Sequence, residues 1–268
     1  MNKNITRYLV AILLLAFGAC NKSTSEQKMN VIKIGTIAGP ETALMEKIRD
    51  ELKQRHDINL EIIQFNDFMT PNIALEDGSL DANAFQHLPY LVNFVKLKNS
   101  KIVSAGKTFV YPVAAYSQKI KHISELKQDA KVAIPNDPSN EGRALMLLEK
   151  AGLIKLNAKD PLLATPQDIS ENKLALHFIE IDAAQLPRTL SDVDLAVINT
   201  IFASAAQLDP TRDGILLEQA DSPYANIVAV REETLHKPWI PTLMAVIHSE
   251  PVITEAKRLF NNNVIAAQ

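Results

Sequence analysis

The chain has 268 residues, a formal net charge of −3 at pH 7 and an apolar fraction of 47%, which is ordinary for a globular protein. Because Lys and Arg are scattered rather than gathered into a basic patch, the composition argues against a nucleic-acid partner. A single cysteine excludes an internal disulfide framework.

Residues 1–19 have the pattern of a secretory signal peptide, with Lys3 and Arg7 ahead of an apolar run from Leu9 to Phe17. The run is shorter than the about 20 residues that a membrane-spanning helix needs, so removal of the segment is favoured. Cys20 follows directly, where a bacterial lipoprotein would be acylated, and we expect acyl chains on it to anchor the protein to a membrane. A buried bystander cysteine is the alternative.

Residues 20–30 are polar and short of apolar side chains, which predicts a flexible tether, and the folded part is expected to begin near Val31. From there strand and helix patterns alternate. The predicted strands are 31–37, 58–65, 110–116, 131–134, 176–181, 194–198 and 227–230, and the predicted helices begin at Pro40, Pro71, Pro89 and Pro138. This alternation indicates an α/β fold with a largely parallel sheet.

The segment 81–91 gathers three rings and two amides, and we interpret it as a site rather than a core strand. Phe85 lies in it, and Phe68 follows the second predicted strand, at a carboxyl end where open α/β sheets bind ligands. Ordinary core packing is the alternative for both phenylalanines. His87 and Tyr90 carry polar tips that a purely apolar core would have to satisfy, although a lone histidine is more often structural.

The strongest predicted helix runs over residues 138–151, with Asp137 as its N-cap and Gly152 at its exit. Arg143 lies about a turn and a half inside, where a cation gains nothing from the helix dipole. It is either a solvated surface arginine or a guanidinium that binds the carboxylate of a ligand through two parallel hydrogen bonds.

Two asparagines stand at predicted strand ends, Asn199 after the strand 194–198 and Asn226 before the strand 227–230. Asparagine is common at turns, which is the simple explanation. An amide also both donates and accepts hydrogen bonds, so it can serve an ammonium and a carboxylate without adding charge. Together with the rings and Arg143, these amides indicate a pocket for a small amphoteric ligand.

Signatures of catalysis are scarce. The sequence has no Gly-x-Ser-x-Gly elbow, no His-Glu-x-x-His and no phosphate-binding glycine loop, and its cysteine is not placed as a nucleophile. The remaining histidines are dispersed without the spacing of metal ligands. We therefore expect no enzymatic activity, no metal site and no cofactor.

Several long motifs in the same order resemble the methionine-binding lipoproteins of the MetQ and NlpA type, which are substrate-binding components of bacterial methionine ABC transporters. The resemblance extends from about Ile34 to near the C-terminus. It rests on residues 67–72, 81–90, 133–145, 180–188, 192–199 and 222–226.

The resemblance implies a type II periplasmic-binding-protein fold, in which crossover strands join two α/β lobes and the ligand lies between them. Lobe 1 would comprise residues 31–111, lobe 2 residues 112–225, and residues 226–268 would form the second crossover and the return to lobe 1. The implied partners are methionine and the permease and ATPase complex of its importer.

The resemblance also assigns roles to residues. Arg143 would bind the ligand carboxylate, Asn199 and Asn226 the amino-acid head group, and Asn140 would add a supporting polar contact. Phe68, Phe85, His87 and Tyr90 would surround the thioether, although the family commonly has Tyr where this chain has Phe68.

Three other functions remain open at this point. One is a receptor for a methionine derivative or a short peptide, because the hydroxyl that Tyr would supply at position 68 is missing. Another is a surface lipoprotein that mainly contacts host or envelope molecules. The last is an enzyme that acts on an amino acid.

Overall fold

The computed structural model describes residues 31–219 and 223–267, so the predicted signal peptide, Cys20 and the tether lie outside the described residues. The helices are α1 (Pro40–His56), α2 (Thr70–Glu76), α3 (Leu88–Lys98), α4 (Pro138–Lys150), α5 (Thr200–Ala205), α6 (Trp239–Ile247) and α7 (Glu250–Leu259). The strands are β1 (Ile32–Ile37), β2 (Leu60–Phe65), β3 (Ala82–His87), β4 (Ile102–Val110), β5 (Ala114–Tyr116), β6 (Lys131–Pro135), β7 (Ile154–Leu156), β8 (Ile169–Asn172), β9 (His177–Ile181), β10 (Leu195–Ile198), β11 (Gly214–Leu217), β12 (Ala225–Arg231) and β13 (Ile265–Ala266).

One sheet has the strand order β13-β4-β12-β3-β1-β2. Its strands β1, β2 and β3 are parallel, whereas β12 runs antiparallel to both β3 and β4. The apolar face of α1, which carries Leu44, Ile48 and Leu52, packs on this sheet together with α6 and α7. The apolar residues of α1 recur on that face every four residues, as the sequence predicts.

The second sheet has the order β11-β5-β10-β6-β9. Strand β6 is parallel to β9 and β10, and β5 is antiparallel to β10 and β11. Leu145 and Leu148 of α4 belong to the buried cluster on this sheet. Each sheet therefore has its own hydrophobic core, and the chain forms two α/β lobes.

The chain passes between the two sheets twice, from β4 to β5 and from β11 to β12. After each passage the next strand, β5 or β12, enters its sheet antiparallel to its neighbours. An antiparallel strand needs no crossover helix before it. The prediction of a largely parallel sheet is therefore wrong: the two large sheets are mixed, and β7 and β8 form a separate antiparallel pair. The predicted strand 110–116 is likewise divided, because β4 ends at Val110 and β5 begins at Ala114.

Strand β3 also contradicts the interpretation of segment 81–91 as something other than a core strand. It lies between β1 and β12, and all its residues are buried. Its polar residues are buried because other side chains satisfy them: Asn83 and Gln86 both donate to the Asn72 side-chain oxygen, at 2.9 and 2.6 Å. Because a side chain of α2 satisfies these amides, polar residues can be buried in β3. The sequence of β3 therefore lacks the apolar pattern of a core strand.

Helix α4 begins as predicted, with the Asp137 side chain accepting a hydrogen bond from the backbone amide of Asn140.

Among the residues that the structure describes, no helix combines the length and the apolar character needed to cross a membrane.

Candidate functional site

A cavity lies among residues from both lobes. All the binding residues predicted from the sequence line it, namely Phe68, Phe85, His87, Tyr90, Asn140, Arg143, Asn199 and Asn226. Sequence reasoning missed four other residues of the lining, Gln86, Tyr111, Thr200 and Ile201.

The strand ends explain why these residues meet. His87 is the last residue of β3, and Asn199 directly follows β10, so both stand at carboxyl ends, where α/β sheets bind ligands. Strand β12 is antiparallel to β3, which places Asn226, near its beginning, opposite His87. Arg143 and Asn140 come from the first turns of α4, which follows β6.

One end of the cavity is aromatic. The Phe68 ring centroid lies 5.8 Å from that of Phe85 and 6.0 Å from that of Tyr90, and the latter two are 6.0 Å apart. The Tyr90 hydroxyl donates to the Phe68 carbonyl oxygen at 2.9 Å, which holds the loop after β2 against α3. The two phenylalanines also pack in a buried cluster with Phe202, so core packing and cavity lining are not exclusive.

Arg143 is 4% exposed, which excludes the surface arginine that the sequence left open. Its Nε donates to Glu218 Oε1 at 2.9 Å, and its Nη2 donates to Glu218 Oε2 and to the Tyr111 carbonyl oxygen. The Tyr224 ring centroid lies 4.4 Å from the guanidinium carbon. Arg143 Nε and Nη2 thus both donate to a carboxylate of the chain itself. Within the described residues, Nη1 is the nitrogen left for a ligand.

Asn140 joins the two lobes. Its side-chain oxygen accepts from Asn199 Nδ2 at 2.7 Å and lies 3.1 Å from His87 Nε2. Its Nδ2 donates to both carboxylate oxygens of Asp137, at 3.0 and 2.9 Å. Burial raises the pKa of Asp137, and its bonds to Asn140 partly oppose that rise. Asn140 therefore orients its neighbours, and all its polar side-chain atoms are engaged.

His87 is uncharged near neutral pH. Burial, and next the nearby charge of Arg143, lower the pKa of His87 to about 3. Its Nδ1 accepts from the backbone amide of Tyr90 at 3.1 Å, so the ring proton lies on Nε2, which donates to Asn140. The histidine is structural in capping α3, and it also faces the cavity.

One amide oxygen of the cavity is an acceptor without a partner among the described residues. Asn199 Oδ1 is buried and has no hydrogen bond within the described residues. Asn226 uses Nδ2 for its bonds, donating to the Phe85 carbonyl oxygen at 3.0 Å and lying 3.5 Å from Glu41 Oε1. An orphaned buried acceptor costs about 1 to 3 kcal/mol, which a donor from a ligand would offset.

A second cavity is lined by Glu41, by Thr108 and Tyr111, and by apolar residues of α1, β3, β4 and α6. Glu41 is 5% exposed, and its Oε2 has no hydrogen-bond partner among the described residues. Burial raises the pKa of Glu41 to about 8, opposed only in part by the Ile37 backbone amide and the Asn226 side chain. Tyr111 lines both cavities.

The described part of the chain holds no group of three or more His, Cys, Asp or Glu side chains placed to bind a metal ion. The polar groups of the first cavity are amides, the hydroxyls of two tyrosines and a threonine, a neutral imidazole and an ion-paired guanidinium. Such groups hold a ligand by hydrogen bonds.

Two α/β lobes with a cavity lined from both constitute the fold of the periplasmic substrate-binding proteins. A nutrient binding protein from Burkholderia cenocepacia, whose structure was solved bound to methionine, is 48% identical and superposes with a TM-score of 0.87, over 89% of this chain and 100% of that one. The expectation of a two-lobe fold is confirmed.

The chain belongs to the NlpA lipoprotein family, whose sequence profile it matches over residues 32–268. Outer membrane lipoprotein 3 of Mannheimia haemolytica is 46% identical over 256 residues, which are 96% of this chain and 95% of that protein. The D-methionine-binding lipoprotein MetQ of Salmonella typhi is 44% identical over 253 residues, 94% of this chain and 93% of the relative. The resemblance inferred from the motifs is confirmed.

Proposed function

We propose that the protein is a lipid-anchored receptor that binds methionine between its lobes and delivers it to an ABC importer. The observation that carries the proposal is the pairing of opposite hydrogen-bonding characters in one cavity. The Asn199 oxygen is an acceptor without a partner in the described part of the chain, and Arg143 Nη1 is a donor. An ammonium suits the first group and a carboxylate the second, so the cavity suits an α-amino acid.

The charges support a ligand of no net charge. Arg143 is neutralised by Glu218, and His87 and Glu41 are uncharged near neutral pH because burial shifts their pKa values to about 3 and about 8. A zwitterion entering such a site brings both charges with it. Each would meet a dipole or a charge of opposite sign, which compensates the loss of water.

The aromatic end of the cavity suits the side chain of methionine. A polarizable thioether makes favourable contacts with the edges of rings, and Phe68, Phe85 and Tyr90 lie within about 6 Å of one another. Homologues named as D-methionine-binding lipoproteins, and a related protein solved with methionine, support this choice.

Closure of the lobes on the ligand would be the signal to the transporter. Residues 31–111 with 226–268, and residues 112–225, are the lobes we propose. A ligand that touches Asn226 on one lobe and Arg143 on the other stabilises the closed form over the open one. The permease and ATPase complex would recognise that form, and no chemical change of the ligand is involved.

Calorimetry tests the ligand. Full-length protein in detergent, unfolded and refolded to remove carried ligand, is titrated with L-methionine, D-methionine, N-acetyl-L-methionine and a methionine dipeptide. We expect L-methionine to bind most tightly and the acetylated form, which lacks the ammonium, at least about tenfold more weakly. A refolded protein that binds neither stereoisomer of methionine would refute the proposal. If the dipeptide binds more tightly than methionine, the dipeptide is the ligand.

The anchor is tested separately, since Cys20 lies outside the described residues. Cells that express the wild-type chain or Cys20→Ser are labelled with a fatty acid and separated into membrane and soluble fractions. We expect label and membrane association in the wild type alone. Equal labelling of both proteins would remove Cys20 as the site of acylation.

A further inference from the structure

Glu41 is a buried acid with no role in the function proposed above. It lies in the first turn of α1, and its Oε2 faces the second cavity with no hydrogen-bond partner among the described residues. Burying an ionisable group without a full set of partners is costly, so a carboxyl in this position calls for an explanation.

The contact of Glu41 with Asn226 connects it to the first cavity. Asn226 Nδ2 lies 3.0 Å from the Phe85 carbonyl oxygen and 3.5 Å from Glu41 Oε1, so acceptors of lobe 1 attract both of its hydrogens. An amide held by its nitrogen turns its oxygen the other way. The Asn226 oxygen is then an acceptor for the first cavity, which Asn226 lines.

We propose that Glu41 is the positioning residue for the amino group of the ligand: it holds Asn226 with its oxygen toward the ligand, and it releases its proton to solvent when a cationic amino group binds. The inference rests on the proposed function, because it requires a ligand with an ammonium group. It adds that the amino group is recognised through Asn226 by an acid behind the cavity.

Hydrogen-bond cooperativity provides the coupling. When an ammonium donates to the Asn226 oxygen, the amide is polarised and its N–H becomes a stronger donor to Glu41. A stronger donor, and a positive charge on the far side of the amide, both favour the carboxylate over the carboxylic acid. The start of α1 also favours a negative charge on Glu41.

Among the residues that line the second cavity, Glu41 is the group that titrates near neutral pH. Strand β3 contributes Ala84 to the second cavity, β4 contributes Thr108 and Phe109, and α6 contributes Ile247, none of which is ionisable. Tyr111 is ionisable, but burial and the nearby Glu41 raise the pKa of its hydroxyl well above the usual value. Beyond Tyr111, Arg143 is paired with Glu218.

The free protein holds Glu41 protonated at neutral pH, since burial raises its pKa to about 8. Binding that lowers this pKa releases a proton. The affinity for an ammonium ligand should therefore rise with pH between about pH 6 and about pH 8, by up to tenfold per pH unit.

The experiment counts protons. Refolded full-length wild type, Glu41→Gln and Glu51→Gln are titrated with L-methionine near pH 7 in two buffers of different ionisation enthalpy. Glu51 is the matched control, because it lies on the same helix, is also 5% exposed and pairs with Lys47 and Arg55 instead of facing either cavity. Thermal unfolding verifies that each variant is folded.

We expect the wild type and Glu51→Gln to release up to one proton per ligand, and Glu41→Gln to release none and to bind with a flat pH profile. N-acetyl-L-methionine should bind the wild type without proton release. Methionine binding by the wild type without proton release, or equal release by Glu41→Gln, would overturn the role of Glu41 while leaving the proposed function intact. Absence of any methionine binding would overturn both.

Discussion

His87 on lobe 1 and Asn140 on lobe 2 lie 3.1 Å apart, from the imidazole Nε2 to the amide oxygen. The same oxygen accepts from Asn199, so one atom of Asn140 gathers a donor from each lobe. Separating the lobes would break the hydrogen bond between His87 and Asn140. Lobe closure and the orientation of the Asn199 amide thus depend on one side chain.

Asn140→Ala should therefore weaken methionine binding although Asn140 has no polar side-chain atom left for the ligand. The substitution leaves His87 Nε2 and Asn199 Nδ2 without an acceptor, at about 1 to 3 kcal/mol for each buried group. We expect a loss of affinity of at least about tenfold by calorimetry. Asn93→Ala on α3, which does not line the cavity, is the control, and an equal effect in both variants would contradict this reading.

Arg143→Ala should weaken methionine binding by about 3 to 5 kcal/mol, the scale for breaking a buried ion pair. Part of that loss comes from Glu218, which loses its ion pair with Arg143 and keeps the Val113 backbone amide as a donor. A double-mutant cycle with Glu218→Gln separates the two contributions. If the double variant Arg143→Ala, Glu218→Gln binds methionine with normal affinity, Arg143 serves Glu218 and not the ligand.

Stability at low pH should depend on His87. Its pKa is about 3 in the folded protein and 6.5 when unperturbed, so the unfolded chain binds a proton that the folded chain does not. The free energy of unfolding should thus fall as the pH drops below about 6.5, by on the order of 2 kcal/mol from pH 7 to pH 5.

Urea unfolding at both pH values measures this effect as a difference between proteins. His87→Gln should lose that part of the pH dependence, whereas the exposed His122→Gln should keep it. Parallel pH profiles for His87→Gln and the wild type would show that the imidazole is not held neutral.

Only some of the residues that sequence reasoning found have a chemistry that local context makes conspicuous. Arg143, in the second turn of a predicted helix where a cation gains nothing from the dipole, is conspicuous without knowledge of the fold, whereas Asn199 at a strand end is common and Asn140 came only from the family resemblance. Their gathering into one cavity followed from the rule that sites form at carboxyl ends of strands. The two lobes came from the family resemblance rather than from periodicity.

Glu218 and Glu41, which the sequence analysis did not find either, act through distant partners. Glu218 is 75 positions from Arg143, and Glu41 is 185 positions from Asn226, so no local pattern connects either pair. Strand β3 was misread for the same reason, because its buried amides are satisfied by Asn72 of α2, outside the strand. The antiparallel β12 follows from sheet topology, which single-strand patterns do not encode.

Glu41→Gln should make the protein more stable at neutral pH. The pKa of Glu41 is about 8 in the folded chain against 4.5 unperturbed, so the unfolded state has lost a proton that the folded state keeps. Stability therefore falls as pH rises from about 4.5 through about 8, and the cost of Glu41 at pH 7 is on the order of 3 kcal/mol. Glutamine keeps the shape and an acceptor for Asn226 without this cost.

Urea unfolding at pH 7 and near pH 4.5 is the measurement for Glu41. We expect Glu41→Gln to be more stable than the wild type at pH 7 and to differ much less from it near pH 4.5, where Glu41 is protonated in the folded chain and about half protonated in the unfolded chain. Glu51→Gln should instead lose stability at pH 7, because the Lys47 hydrogen bond, more than the charge of Arg55, lowers the pKa of Glu51. A Glu41 variant that is less stable than the wild type at pH 7 would show that the acid is ionised in the free protein and that its charge is compensated. A gain in stability together with a loss of proton-linked binding would mean that the chain keeps a destabilising acid for the sake of its ligand.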